Sequence, residues 1–506
     1  MYHRLYEELP KPRRRPKPVL RSYWPFWMIS ILHVLVALGC KHGGGLSITA
    51  HRLPGDSPEY WDAFWQTLPI ESLRGDLLGS VWNLHAQPPL HNLYGGLLAK
   101  LFYPHHLEWM HYINIFLGSC IPAMVGVIVW RVSRNKFWGI LAALLYGLNP
   151  SLLLYEAYPL YTLPAAFLVT ASIFCLAMFC PNRKTGWLYA FVVLVNLLIL
   201  TRSAYHLAIL AVVIPGAVML ADAKRFRVLA VCLLLSTVSI GWYAKNYSQF
   251  GFFGSSSWAG QGLWRITGKD YPQEKKDQLL ARGVIEPAAA KVHTFTPPSM
   301  YKQYGFDKTS DIDVLGRDDF NNINIIEISR AYQRSAFGVI RDDPKTYFRN
   351  VGRAYREFCV PSSQYLQVSD NASKIAQHEW IASRIFQGQW LCEYLAELIG
   401  VDIFRSLLFF VLPLMVLGYL FSSLRRCGLR PAAWCEMIRR DPTTAMMMFF
   451  IVYSAAVCCM AELGENRRFK FLVEALLWSA ALSLAARLLQ RRRLAGDDFN
   501  WAGPSD

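Results

Sequence analysis

The sequence predicts an all-α polytopic membrane protein, with about ten transmembrane helices, an outer re-entrant or interfacial helix and an exterior soluble region. Three observations carry that prediction. The 506 residues are 53 % hydrophobic, and the apolar residues come in long unbroken blocks. Many blocks reach the roughly 20 residues that a helix needs to cross a hydrocarbon core about 30 Å thick. They are apolar on every face, whereas the strands of a membrane barrel would alternate polar and apolar residues. Finally, the Lys and Arg behind a formal net charge of +16 gather in the short links between blocks. That is the positive-inside pattern rather than a nucleic-acid-binding surface, so membrane lipids are the expected surroundings and no nucleic acid is an expected partner.

Taken in order, the basic run Lys11 to Arg21, with Arg13, Arg14 and Arg15, precedes an apolar block too long and too poorly ended for a cleaved signal peptide. It is read as a retained first span near 24–41. Further spans fall near 109–131, 138–155, 158–180, 187–201, 205–221, 228–243, 402–421, 443–461 and 469–488. A cytoplasmic N-terminus places Arg131, Arg134 and Lys136; Arg183 and Lys184; Lys224, Arg225 and Arg227; Arg425, Arg426, Arg439 and Arg440 inside, together with Arg491, Arg492 and Arg493. Nearly every basic link then lies on one side. The stretch 88–103 is apolar but carries Pro88, Pro89, Gly95 and Gly96. Counted as a full span it would export all later basic loops, so it is read as re-entrant or interfacial on the outer face.

This topology divides the chain into an N-terminal transmembrane catalytic module at 1–250 with a first outer loop at 42–108, an exterior region at 251–400, and C-terminal helices with a cytoplasmic tail at 401–506. Within the exterior region, Lys269 to Asp319 reads as loop, 320–358 as helical, and Asp342-Asp343-Pro344 as a turn that starts a new helix. Gly and Ser concentrate between Gly251 and Gly262, and the chain has no internal repeat. The scattered cysteines lie mostly inside apolar blocks and show no metal-ligand spacing. Cys359 and Cys392 fall in the exterior region, which leaves open a disulfide or two free thiols.

Ionisable groups at outer span ends are the candidates for chemistry. In the first loop Gly55-Asp56-Ser57-Pro58-Glu59-Tyr60 precedes Trp61, Phe64 and Trp65, an acidic cluster among interfacial aromatics. Asp56 is placed to act as a general base on an acceptor hydroxyl. Ser57, Pro58 and Glu59 equally form a helix start, with Ser57 capping and Glu59 favoured by the dipole. Glu59 and Tyr60 are kept as pocket candidates, with His91 of Gln87-Pro88-Pro89-Leu90-His91, Tyr158 of Leu154-Tyr155-Glu156-Ala157-Tyr158-Pro159, and Glu465. Glu156 sits at a tight turn between spans, where it faces the bundle or the membrane surface, and is a second acidic candidate. Arg202, and then Arg467 and Arg468 in Glu465-Asn466-Arg467-Arg468-Phe469, are cations on the outer side, against the positive-inside bias. A phosphodiester would partner them, since guanidinium forks match phosphate oxygens; pairing with Glu462, Glu465 or Glu474 is the competing explanation. Lys245, in Lys245-Asn246-Tyr247 with Phe250-Gly251, joins the donor-phosphate candidates, although anchoring alone explains it. His33, His105, His106 and His111 lack paired metal spacing and read as interfacial or helix-packing groups. No metal and no cofactor is expected.

The order of these pieces resembles the superfamily of protein O-mannosyltransferases and lipid A aminoarabinose transferases, the C-type glycosyltransferases that use polyprenyl phosphate sugars. The likeness runs over roughly 20–270 and 440–485, through the acidic first loop, the Pro-Pro-Leu segment, Asn149-Pro150 with Tyr155-Glu156, the exit Lys245-Asn246-Tyr247 with Phe250-Gly251, and the turn Glu465-Asn466-Arg467-Arg468-Phe469. The resemblance implies an inverting, metal-independent transfer from a polyprenyl-phosphate-linked sugar donor to a lipid, envelope glycan or protein acceptor. It also implies a bacterial inner-membrane setting with the site on the outer face. Asp56 corresponds to the catalytic base, and Glu156 to the neighbourhood of a second acidic site that relatives often place nearer Tyr161 and Thr162. Lys245 stands where many relatives have Arg. The competing class is a multi-pass transporter or lipid-linked sugar flippase, which would carry internal repeats and mid-membrane charges. An assembly scaffold without catalysis is a third reading.

Overall fold

The computed structural model describes residues 20–49, 58–221, 224–310, 318–400 and 405–497. Every regular element among them is helical. Seven helices are long and apolar enough to cross a membrane: Trp24–His42, His106–Ser133, Thr162–Pro181, Arg225–Phe250, Leu408–Cys427, Pro442–Ala461 and Asn466–Gln490. The bent pair Lys136–Gly147 and Pro150–Glu156 is together long and apolar enough for an eighth, as a broken span or a re-entrant loop, and the shorter apolar helices Thr185–Thr201 and Leu207–Leu220 complete the set. Each of the ten expected spans is therefore met by a helix.

The bend has a local cause. Pro150 has no backbone N–H to continue the preceding helix, and the Asn149 side chain accepts from Ser151 N at 3.0 Å, so the chain restarts as a new helix turned by 53°. His106–Ser133 packs against Trp24–His42, Lys136–Gly147, Thr162–Asn182 and Asn466–Asp497, which makes it the centre of the bundle. Helices 24–42, 225–250 and 408–427 lie at the periphery and leave large apolar side chains such as Leu35, Leu234 and Leu414 exposed, as lipid-facing helices do.

One face of the bundle is capped by the first loop and by residues 251–400. Pro89–Phe102, 14 residues long, is too short to cross a bilayer, and it packs on His106–Ser133 and on the short helices Ile70–Gly75 and Leu77–Trp82. The sequence marks Gly95 and Gly96 as breakers, but here they create room. A Cβ at Gly95 would lie 2.1 Å from the ring of fully buried Trp61, and one at Gly96 would lie 2.4 Å from Leu77.

The stretch expected as loop between Lys269 and Asp319 instead forms helices Gln273–Ala281 and Pro287–Lys291 and a 3-10 helix at Pro298–Tyr304. Its sparse apolar residues explain the difference: Leu279, Ile285 and Tyr301 join Trp264, Ile328 and Tyr332 in a second core under helix Asn324–Asp342. The expected restart at Asp343-Pro344 is present, with the Asp343 side chain accepting from Thr346 N at 3.1 Å at the head of Pro344–Cys359. Helices Ala376–Ile381 and Gln389–Ile399 leave Trp380, Trp390, Tyr394 and Leu398 exposed. Cys359 and Cys392 are both buried free thiols.

Candidate functional site

Under the cap lies a cavity of about 1070 Å³, walled by the first loop, the turns at 158–161, 202–206 and 462–465, and the segment 252–262. This volume is at the top of the range for small-molecule sites, roughly 300–1,000 Å³. The Gly/Ser-rich stretch noticed in the sequence supplies one wall, because short side chains let the backbone come close. Gly260 illustrates this, since a Cβ there would lie 1.8 Å from Ser329 O.

Hydrogen bonds fasten the first loop to the cap. His85 Nε2 donates to Asn321 O at 2.9 Å, which leaves Nδ1 to accept from the Ser257 hydroxyl at 3.0 Å. Burial pushes the His85 imidazole down to about 3, and nearby Lys245 pushes it the same way, so the ring is neutral as this pattern requires. Ser256 Oγ donates to Ala86 O at 2.6 Å, and Asn321 Nδ2 to Asn83 O at 3.1 Å.

The floor of the cavity is cationic. Arg202 and Arg468 both line it and are 3 % and 2 % exposed. Arg202 lies over the rings of Phe469 and Tyr161, at 4.1 and 5.2 Å, while its Nε and Nη1 have no hydrogen-bond partner among the described residues. Arg468 donates to Glu465 and, at 3.4 Å, to the Tyr158 hydroxyl, and its Nε is also without a partner. Arg265, from helix Ala259–Thr267, also lines the cavity and pairs with Glu462 at 3.0 Å. Gly464, at φ +123°, permits this approach, since a Cβ there would meet Arg265 Nη2 at 2.6 Å.

The two carboxyls of this wall are driven apart. Burial raises Glu462 to about 8 against the opposing pull of Arg265. Burial would also raise Glu465, but the guanidiniums of Arg468, Arg265 and Arg202 hold it below the ordinary range.

The structure brings together some of the sequence-derived candidates and separates others. Arg202, Arg468, Tyr158 and Glu465 share the cavity. Arg467 does not line it: its guanidinium is taken up by Glu357, at 2.6 and 2.9 Å, and by Gln364 O at 2.7 Å. Lys245 donates to Trp82 O and Leu84 O at 2.8 and 3.1 Å and sits 3.9 Å from the Trp242 ring centroid, again outside the cavity wall. Both cations find partners within the chain and stand apart from Arg202 and Arg468. Glu156 is likewise away from the cavity, buried at the bend with His33 Nε2 2.7 Å from its Oε1. His33, expected as a packing group, is its hydrogen-bond partner. His91 is packed between Trp61 and Tyr161, behind the wall rather than on it. Asp56 lies outside the described residues, as do the side chains of Glu59 and Tyr60. Among the described residues no cluster has the composition of a metal site.

Arg265 and Glu462 are cavity residues that the sequence did not single out. Glu462 stood only as a neighbour of Arg467 and Arg468, and Arg265 sits in a helix whose link to that turn exists only in three dimensions.

No family model matches the chain, and no curated protein does so either. Among solved structures it is similar to ArnT from Cupriavidus metallidurans in the apo state, at 13 % identity and TM-score 0.28, and to the same protein bound to undecaprenyl phosphate, at 15 % and 0.31. In both cases 90 % of this chain and 77 % of the other are covered.

Proposed function

We propose that the chain is a membrane glycosyltransferase that transfers a sugar from a polyprenyl phosphate carrier to a lipid, envelope glycan or protein acceptor. The carrying observation is the pair Arg202 and Arg468, buried at the edge of a large cavity, with Arg202 Nε and Nη1 and Arg468 Nε lacking hydrogen-bond partners among the described residues. Burying such donors is unfavourable unless a group arrives to accept from them, and a sugar phosphodiester is an anion that would do so. The order of motifs along the sequence supports the same reading.

In the transfer the acceptor hydroxyl oxygen attacks the anomeric carbon, and its proton passes to Asp56. The carbon–oxygen bond to phosphate breaks with its electron pair, so the polyprenyl phosphate leaves while Arg202 and Arg468 stabilise the charge that develops on it. The displacement inverts the anomeric centre and, in this reading, proceeds without a metal. In this reading the capped face lies on the non-cytoplasmic side, which the distribution of Lys and Arg supports, and the membrane is the bacterial inner membrane that the resemblance implies. Purified protein incubated with several labelled polyprenyl phosphate sugars should consume one of them and release the polyprenyl phosphate. Consumption of none of them, by protein that is folded and supplied with candidate acceptors, would refute the reading.

A further inference from the structure

The last part of the cap runs down the flank of the bundle rather than over it, and contacts with the spans mark its depth. Lys374 Nζ donates to Gly45 O at 2.6 Å, just past the capped end of the first span, Trp24–His42. Further on, His378 Nε2 lies 2.6 Å from Leu148 O. The neighbouring carbonyl, Gly147 O, is 2.9 Å from Nδ1 of His33. That histidine stands roughly 14 Å below His42 for a helical rise of about 1.5 Å per residue. Ala382, Phe386 and Gln387 then enclose a small cavity with Leu145, Leu148, Asn149 and Trp478. Along the last helix, Asn466–Asp497, Trp478 is roughly 18 Å from the capped end. Gln387 O accepts from Leu407 N at 3.3 Å, so the span Leu408–Cys427 begins at this depth as well.

A hydrocarbon core is about 30 Å thick, so a segment this far below the capped ends of two spans lies within it. There it leaves apolar side chains uncovered: Trp380, Ile385, Phe386, Trp390, Tyr394 and Leu398 are each 53–71 % exposed. On Gln389–Ile399 the spacing of Trp390, Tyr394 and Leu398 puts them on one helix face, Cys392 is buried on another, and the exposed Glu393 and Glu397 form a stripe along one edge. This is the pattern of a helix lying in a membrane interface, with its apolar face among acyl chains and its carboxylates toward the headgroups. Arg384 and Glu393 pair at 3.1 Å, which spares the apolar surroundings two lone charges. The next helix in the chain, Leu408–Cys427, leaves Val411, Leu414 and Leu417 exposed, as a lipid-facing span does.

We infer that residues 376–400 form a re-entrant wedge seated in the leaflet on the capped side, with phospholipid acyl chains as the partner of Trp380, Ile385, Phe386, Trp390, Tyr394 and Leu398. The exterior region expected at 251–400 thus ends in the membrane and not in solvent. The wedge is separate from the candidate site, since none of its residues lines the cavity under the cap, and it stands whether or not a sugar is transferred.

The test places the photo-crosslinking residue p-benzoylphenylalanine, one position at a time, at Ile385, Trp390 and Leu398 of the full chain in nanodiscs of phosphatidylethanolamine and phosphatidylglycerol. Leu414 on the lipid-facing span is the positive control, and Phe337, exposed on the cap helix Asn324–Asp342, is the solvent control. Irradiation should attach phospholipid through its acyl chains at all three positions to the same extent as at Leu414, whereas Phe337 gives no such adduct. The unaltered chain supplies a second reading: hydroxyl-radical footprinting in the same nanodiscs should spare Trp380 and Trp390 while oxidising Met300, which is exposed on the cap. The inference is overturned if the three positions give no acyl-chain adduct while Leu414 does, or if their product is a cross-link to a second copy or another protein. Oxidation of Trp380 and Trp390 as readily as Met300 would overturn it too.

Discussion

Replacing Arg202 is the most direct perturbation of the candidate site. Its guanidinium is 3 % exposed and faces two aromatic rings, and neither Nε nor Nη1 meets an acceptor among the described residues. One charge-assisted hydrogen bond to a phosphate oxygen contributes about 1.5–3 kcal/mol. At roughly 1.4 kcal/mol per decade, Arg202→Ala should weaken undecaprenyl phosphate binding by about one to two orders of magnitude. Arg202→Lys should recover only part of the loss, since an ammonium lacks the planar fork. Arg468 is a less clean target, because its removal also strands Glu465 in a buried wall. Stability separates function from structure at this position. Ring contacts of about 1–2 kcal/mol and the attraction of Glu465 offset the desolvation of this buried guanidinium only in part, so Arg202→Leu should be about as thermally stable as wild type. The assay is titration of undecaprenyl phosphate into nanodisc-embedded protein, with undecaprenol, which lacks the phosphate, as the control lipid. Arg202→Ala binding within about twofold of wild type, or a marked loss of melting temperature in Arg202→Leu, would refute the phosphate assignment.

The raised Glu462 carboxyl gives the cavity a pH response: as pH falls through about 8 the group gains a proton, one negative charge leaves the wall, and phosphate binding should strengthen. Affinity for undecaprenyl phosphate should therefore be higher near pH 7 than near pH 9, a difference that Glu462→Gln removes; an identical slope in that variant would count against it. Glu156→Ala should unpair His33 and lower stability by roughly 3–5 kcal/mol while donor affinity survives, as a melting curve and a binding isotherm would show together. Arg467→Ala should leave phosphate binding intact but loosen helix Pro344–Cys359 from the last span, seen as faster proteolysis of the cap; a tenfold loss of phosphate affinity would return Arg467 to the site. Asp56→Asn should insert and bind donor yet turn over roughly 10²–10⁴ times more slowly, and retention of more than about a tenth of wild-type turnover would move the base elsewhere.

The bundle was legible in the chain because crossing a bilayer is a one-dimensional constraint. A run of apolar residues long enough to span hydrocarbon has few alternatives to a helix, and Asn149-Pro150 announces a break by local chemistry alone. The cap at 251–400 was less legible. Its core around Trp264, Leu279, Tyr301 and Tyr332 draws single residues from distant segments, so no local window shows enough periodicity to mark helices there. The site divides in the same way. That Arg202, Arg467, Arg468 and Lys245 need partners follows from their place at apolar span ends, which the sequence displays. Which partners they find is decided by the tertiary structure. Glu357 reaches Arg467 from the cap, and backbone carbonyls of the first loop reach Lys245. Glu156 turns inward to His33, while Arg202 Nε and Nη1 and Arg468 Nε remain unmatched among the described residues. Charge pairing depends on distances of a few ångströms between groups far apart in the chain, and those distances exist only once the cap has closed over the bundle.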